Sequence, residues 1–380
     1  MLYIVVGNVL NYKTWAIYHN KITVSRNVEG IMLAANRCSW AFFGTVVHSA
    51  SRDEPLVILS NTLCLVKDGR ISQLKSGITE SEARQQASAS GDNTEILVLR
   101  RRQFLMPGFI DTHIHAAQYE NVGLGYHLQL LDWLKQYTYP AEKKFADVGY
   151  AAKVYDKVVR KTLRNGTTTA CYFATIHTDS TLVLAEKMDQ YGQRGYIGKV
   201  NMDDPDYCFD DYCEDTQTSL SETRRFVTEM IKRYGDQGLL TPCITPRFAL
   251  SCTPEAMSGL ADIAKKFGNL PIQTHMSENK NEIKTVLEKF EDEAVTEYIQ
   301  VYENAGLLTE KTILAHCVHS NDVELGIINK HRCGISHCPN SNTSLSSGDM
   351  NVKHALDLKV KIGLGELTFI RTILRSLLKQ

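Results

Sequence analysis

The pattern of apolar and polar positions divides the chain into two textures. Short β-rich runs, "AFFGTVVHSA" from 41, "LVILSNTLCLVKDGRISQL" and "ILVLRRRQFL" from 96, are broken by turn residues such as Asp68-Gly69. This alternation predicts a small all-β module over 40–104. Within it, the polar segment 79–94, "TESEARQQASASGDNT", predicts an exposed loop because it holds too little apolar surface to pack. Residues 1–39 carry little pattern and stand as an unassigned N-terminal extension.

Beyond residue 104 short apolar runs alternate with helical periodicity. The runs are "FLMPGFIDTHIH", "GTTTACYFAT", "GYIGKVNMD", "TPCITPRFAL", "LPIQTHMSE", "TILAHCVHS", "CGISHCPNSN" and "VKIGLG". Between them lie stretches such as "AAKVYDKVVRKTLRNG" and "PEAMSGLADIAKKFG", whose apolar residues recur at helical spacing. Eight strand candidates over about 260 residues predict an α/β fold, a (β/α)8 TIM-type barrel occupying 105–380. A doubly wound open sheet competes, but no Gly-rich phosphate turn follows the first strand.

Active sites of such barrels lie at the C-terminal strand ends, which makes polar residues that end apolar runs the candidates. His113 and His115 end the first run two residues apart, so both face the same side of the strand. Neutral imidazoles on one face suit a metal, and a catalytic zinc takes about three protein ligands with one position left open. His275, which ends the fifth run, is the natural third ligand. Glu278 follows three residues later and can move a proton at that rim; its plainer role is to start the helix after it. His316, ending the sixth run, is a fourth ligand or a partner to the nucleophile. His337 and Cys338 are neighbours on a strand and point to opposite faces, so they cannot share one interior metal, and loop structure is the expected role there. Arg247-Phe248 and Gln118 offer a hydrogen-bonding fork, an aromatic face and an amide to a planar heterocycle. Their plainer readings are an ion-paired Arg and a polar loop Gln.

Charge narrows the partners. With 42 basic and 43 acidic residues and no basic block, the chain shows no footprint for nucleic acid or anionic membrane. No apolar run approaches the length of about 20 residues that a bilayer span needs, and the first residues lack a basic segment and cleavage site. Ten cysteines without a CxxC pair predict reduced thiols and a cytoplasmic setting.

Together, "PGFIDTHIHAAQY", "LLDWLKQYTYPAE", "NGTTTACYF", "ITPRFALSC", "THMSEN", "LAHCVH" and "HCPNSN" resemble the guanine deaminase family of the amidohydrolase superfamily, in its animal form. The resemblance runs from about Phe42 to Gly365. It implies zinc-dependent hydrolysis of guanine to xanthine and ammonia in purine catabolism, by a barrel with a flanking β module, as a cytoplasmic homodimer. Carried over by position, it makes His113, His115 and His275 ligands to one Zn2+ and Glu278 the proton shuttle. His316 then orients the nucleophile. Gln118, Arg247 and Phe248 fall where family members hold the purine, with His115, His275 and Glu278 facing it. Whether the metal is zinc or iron stays open. The P-C-x-x-C signature of the other zinc deaminase class is absent.

The resemblance fails after Gly365. Family members continue "GLGTD", with a metal-binding Asp, whereas this chain reads "IGLGELTFIRTILRSLLKQ" and places Leu367 at that position and Glu366 one earlier. Because side chains alternate along a strand, Glu366 is a poor replacement. The expectation is a barrel whose C-terminal part is missing or replaced, from an alternative transcript or imperfect gene prediction, with reduced activity. Residues 367–378 could form an amphipathic helix covering strand eight, and the β module is expected to keep an unpaired edge. Two other readings stand beside this one. The first is an amidohydrolase acting on another cyclic amidine or a halogenated triazine; the second is a non-catalytic relative that binds purine or dimerises.

Overall fold

The computed structural model describes residues 39–90, 94–209, 212–235 and 238–365, together with the backbone of four short strands before residue 39. The tail helix expected over 367–378 lies outside the described residues, as do Glu366 and Leu367. Two compact units form, one from residues 1–109 and 162–168, the other from 110–161 and 169–380. Among the described residues no helix is long and apolar enough to cross a membrane.

In the first unit, strands Ser39–His48, Val57–Lys67 and Arg70–Lys75 form an antiparallel meander. Asp68 (φ 48°) and Gly69 (φ 75°) make its two-residue turn, and positive φ at both positions matches the twist of the flanking strands. Alternation along the first strand sends Trp40, Phe42 and Val46 to one face with Cys64, Val66, Leu99 and Leu105. Ala41 and Phe43 go to the other, with Leu63, Leu65, Ile78, Ala83 and Ala87.

Those two alanines correct an expectation. Segment 79–94 is not a loop: Glu80–Ala89 is an α-helix, so the module is not all-β. Thr79 caps its start. The Thr79 hydroxyl accepts from the Glu82 N–H at 3.3 Å, while the Glu82 carboxylate accepts from the Thr79 N–H at 2.8 Å. Small alanines at four-residue spacing suffice to seat the helix on the sheet, which is why low apolar content misled. Among the described residues the sheet keeps an open edge at strand Arg70–Lys75, which pairs only with Val57–Lys67. Strand Gln103–Pro107 pairs with Leu2–Val6 in antiparallel register, Ile4 opposite Leu105, so the segment that carried no readable pattern covers that strand.

In the second unit eight parallel strands follow the eight apolar runs. They are β1 Phe109–His115, β2 Thr167–Phe173, β3 Arg194–Gly198 and β4 Leu240–Pro242, then β5 Ile272–Met276, β6 Thr312–His316, β7 Gly334–His337 and β8 Lys361–Leu364. Ladders join β1 to β4 and β5 to β8. Val200–Asn201 and Thr245–Pro246 extend the pairing of the third and fourth strands, and the two halves meet where Ile244 bridges to Ile272. At the other seam Gly363 of β8 lies against Thr112 of β1, where a Cβ on the glycine would come within 2.6 Å of the Thr112 methyl. The interior is packed with satisfied polar groups as well as apolar ones. Gln273 donates to the Thr245 hydroxyl at 3.0 Å and to the Tyr172 carbonyl at 2.9 Å, and its own carbonyl accepts from the Cys171 thiol at 3.0 Å.

Not every thiol is reduced. Cys208 and Cys213 form a disulfide, which the absence of a CxxC spacing concealed; the seven other described cysteines are free and buried.

Candidate active site and metal centre

The end of β1 presents His113 and His115 inward, as period-two alternation requires, and both are buried. β5 brings His275 beside them. The His115 and His275 Nε2 atoms lie 2.9 Å apart, and the His113 ring centre is 5.0 Å from that of His115 and 4.7 Å from that of His275. Donor atoms of these three residues can all approach within 4.8 Å of one another. The tautomer of His275 is set by its surroundings: Nδ1 sits 2.6 Å from the Arg247 carbonyl, which can only accept. Nδ1 therefore carries the proton, and the Nε2 lone pair faces the cluster.

Burial pushes the pKa of all three imidazoles well below the ordinary value, and repulsion from neighbouring histidines, His316 among them, and from Arg247 adds to it. They are neutral and able to ligate. Both ring nitrogens of His113 and Nδ1 of His115 are buried with no hydrogen-bond partner. Leaving such atoms unpaired costs about 1–3 kcal/mol each, and a cation would remove that cost for the one nitrogen of each neutral ring that carries a lone pair. The donor set, its neutrality and its unpartnered nitrogens thus fit a divalent metal.

His316 ends β6 in the left-handed region (φ 73°), followed by Cys317 (φ 48°), and Ser277 after β5 is left-handed too (φ 49°). Such conformations in side chains that carry a Cβ persist only where surrounding structure imposes them, and they cluster at functional sites. His316 Nδ1 donates to the Asn342 amide oxygen at 2.8 Å, which turns Nε2 toward Glu278 at 3.4 Å. Burial raises the Glu278 carboxyl to about 8 and lowers His316 to about 4. Glu278 is not the helix starter that its position also allowed. Asn279 caps helix Lys280–Lys289 and Glu282 closes the capping box, which leaves the Glu278 side chain to the pocket.

Residue alternation on β7 separates His337 from Cys338. His337 is half-buried and belongs to no donor cluster, whereas Cys338 is fully buried and its thiol forms a second possible donor group with His113 and His316. Cys338 does lie in the loop between β7 and helix Pro339–Ser344, as expected, with its thiol buried. Neighbours pointing apart cannot share a metal, but one of them still faces inward.

The cavity in front of the histidines encloses about 370 Å3, part of it open to solvent, and is lined by His115, Gln118, Arg247, Phe248, His275 and Glu278. Leu130, Trp133, Leu134 and Leu345 supply its apolar wall. One expectation changes here. Arg247 is neither a surface residue nor a free fork: its Nη1 and Nη2 donate to Glu142 at 2.6 and 3.1 Å, and its guanidinium lies 4.8 Å from the centre of the Tyr139 ring. Gln118 Nε2 also donates to Glu142, at 3.2 Å. Glu142 was missed because it ends no strand. It sits in Tyr139–Lys143 after a π-helical turn over Leu134–Thr138, and the only available signal was the irregular "LLDWLKQYTYPAE" segment.

The metal-free protein gives a pH test. Because the folded-state pKa of Glu278 is raised, its contribution to stability is full below about 4.5 and is lost as pH rises through about 8. Glu278→Gln should therefore flatten the fall in melting temperature between pH 5 and pH 8 in chelator-treated protein; an unchanged slope would mean that the carboxyl is solvated.

Comparison with known proteins agrees with this geometry. The family described as Amidohydrolase family matches residues 104–366. Human guanine deaminase is 45% identical over 329 residues, covering 85% of this chain and 70% of that protein. The Dictyostelium discoideum guanine deaminase is 42% identical over 342 residues, covering 88% and 74%. Among solved structures, guanine deaminase from C. acetobutylicum with bound guanine superposes with a TM-score of 0.76 at 36% identity, over 86% of this chain and 74% of that one. The barrel, the histidine cluster at its mouth and these matches together place the chain in the amidohydrolase family, among its guanine deaminases.

Proposed function

We propose that this chain hydrolyses guanine to xanthine and ammonia with one zinc ion held by His113, His115 and His275. The observation that carries the reading is the convergence of three neutral imidazoles, two of which, His115 and His275, line one cavity together with Glu278, Gln118, Arg247 and Phe248. A zinc ion bound there supplies Lewis acidity, bringing the pKa of water from about 15.7 toward about 7 and making a nucleophile available at neutral pH. The remaining work falls to this chain's own residues.

Glu278, whose carboxyl reaches the cavity beside His316, is the group placed to accept and return a proton. It takes one from the attacking water and delivers it to the ring nitrogen or the departing amine. His316 presents Nε2 toward Glu278 and orients the nucleophile. Phe248, buried at the end of the fourth apolar run, offers a ring face to the purine. The leucines and Trp133 exclude water.

A cytoplasmic homodimer belongs to the same proposal and rests on the resemblance to the family. A second reading is favoured by one observation, Leu367 at the position of the family's metal-binding Asp. It describes a chain that keeps the pocket and binds purine without turnover. Metal content and ammonia release from guanine, measured on the purified full chain, decide between them. Zinc near one per chain with ammonia release supports catalysis; purine binding without ammonia supports the second reading.

A further inference from the structure

The carboxylate of Glu142 has no capacity left for a ligand. Oε1 accepts from Gln118 Nε2 at 3.2 Å and Arg247 Nη2 at 3.1 Å, and Oε2 accepts from Arg247 Nη1 at 2.6 Å and the Tyr212 hydroxyl at 2.8 Å. Two bonds to each oxygen use about all four acceptor positions of a carboxylate. Glu142, fully buried, stands behind the cavity wall, while Gln118 and Arg247 line it.

A carboxylate paired with Arg accepts and does not donate, so it imposes a direction on the Gln118 amide. The NH2 end must turn toward Glu142 and the carbonyl end must turn away. Gln118 Oε1 is buried without a partner, an acceptor awaiting a donor. Beside it Arg247 retains N–H groups that Glu142 does not engage, since a guanidinium carries five. The wall therefore reads as an acceptor next to a donor.

We propose that Glu142 is the specificity-determining positioning residue of this pocket. By fixing the orientation of Gln118 and Arg247, it selects heterocycles that present a lactam edge, a ring N–H adjacent to a carbonyl, over those that present a ring nitrogen lone pair adjacent to an amino group. The inference rests on the purine reading of the site and refines it. Guanine and hypoxanthine carry the lactam edge at N1 and C6, with N1–H facing the Gln118 oxygen and the 6-oxo group accepting from Arg247. Adenine presents the inverse pattern and would leave both wall groups opposed. A site built on such polar contacts discriminates strongly, because the wrong ligand strands buried groups.

Binding of hypoxanthine and of adenine to the metal-loaded full chain, measured by titration calorimetry, tests this without any turnover. Wild type should prefer hypoxanthine by about 100-fold or more, and Glu142→Gln, which can donate to as well as accept from Gln118, should reduce that ratio to about 10-fold or less. Removing one partner of a buried ion pair can unfold a protein, so Gln118→Met serves as the second variant. It keeps the Glu142–Arg247 pair and should weaken hypoxanthine by about 10-fold while adenine, relieved of one opposed acceptor, binds no more weakly than before. Equal wild-type affinity for the two purines, or a ratio preserved in both variants, would overturn the role given to Glu142. Wild type that binds neither purine would overturn the purine reading itself.

Discussion

Replacing His113 by alanine is expected to abolish metal binding, taking metal content from about one per chain to below about 0.1 and guanine turnover below detection, a loss of about 10,000-fold or more. His113 is the residue through which the cluster connects. Its ring centre lies 5.0 Å from His115, 4.7 Å from His275 and 5.5 Å from His316, and it belongs to both possible donor groups. The expected effect on the metal-free fold is far smaller. Truncation leaves a cavity, but it also removes two buried nitrogens that have no hydrogen-bond partner, and the two contributions oppose each other. Thermal melts with and without zinc separate these effects. Metal in thousandfold excess over its dissociation constant stabilises a fold by about 4 kcal/mol, so wild type should show a large upward shift and His113→Ala none. An alanine variant that still melts higher with zinc would place the ion elsewhere.

Much of this site was legible because barrel geometry converts sequence position into spatial position. Each strand ends at one rim, so His113, His115, His275 and His316 could be collected from the ends of three apolar runs without knowing how the runs pair. Glu278 followed from its distance to His275. What could not be read depends on elements outside the strands. Glu142 lies beyond a π-helical turn whose phase no simple periodicity predicts, and it acts through Arg247 and Gln118 rather than on the cavity. Those two residues were found, but the partner that aims them was not. The helix over Glu80–Ala89 was missed for a related reason: the Thr79-to-Glu82 capping box is a start signal in its own right, yet only two alanines mark its packed face. Cys338 was set aside together with His337 because the two cannot act jointly, although alternation places one of them inside. The pairing of Gln103–Pro107 with Leu2–Val6 was not legible because it joins residues about a hundred positions apart, which local pattern cannot reveal.

The second large effect concerns the end of β8. Gly365 donates its N–H to the His337 carbonyl at 2.9 Å, and a Cβ placed on it would lie 2.9 Å from the His113 Cβ and 3.0 Å from the Cys338 sulfur. Strand eight thus brings Gly365 directly to the donor cluster. The family resemblance expects a metal-binding Asp two positions later in sequence, and Leu367 holds that position here. A leucine can neither ligate nor accept a proton from water. Restoring the acid by Leu367→Asp is expected to raise guanine turnover by about a thousandfold, equivalent to about 4 kcal/mol of transition-state stabilisation. Leu367→Asn, similar in shape but uncharged, should recover almost none of it, which separates charge from the removal of an apolar side chain. If Leu367→Asp adds nothing and wild type already turns over guanine rapidly, another group performs the carboxylate's work. Cys338 would be the first to replace, because its thiol already reaches both His113 and His316.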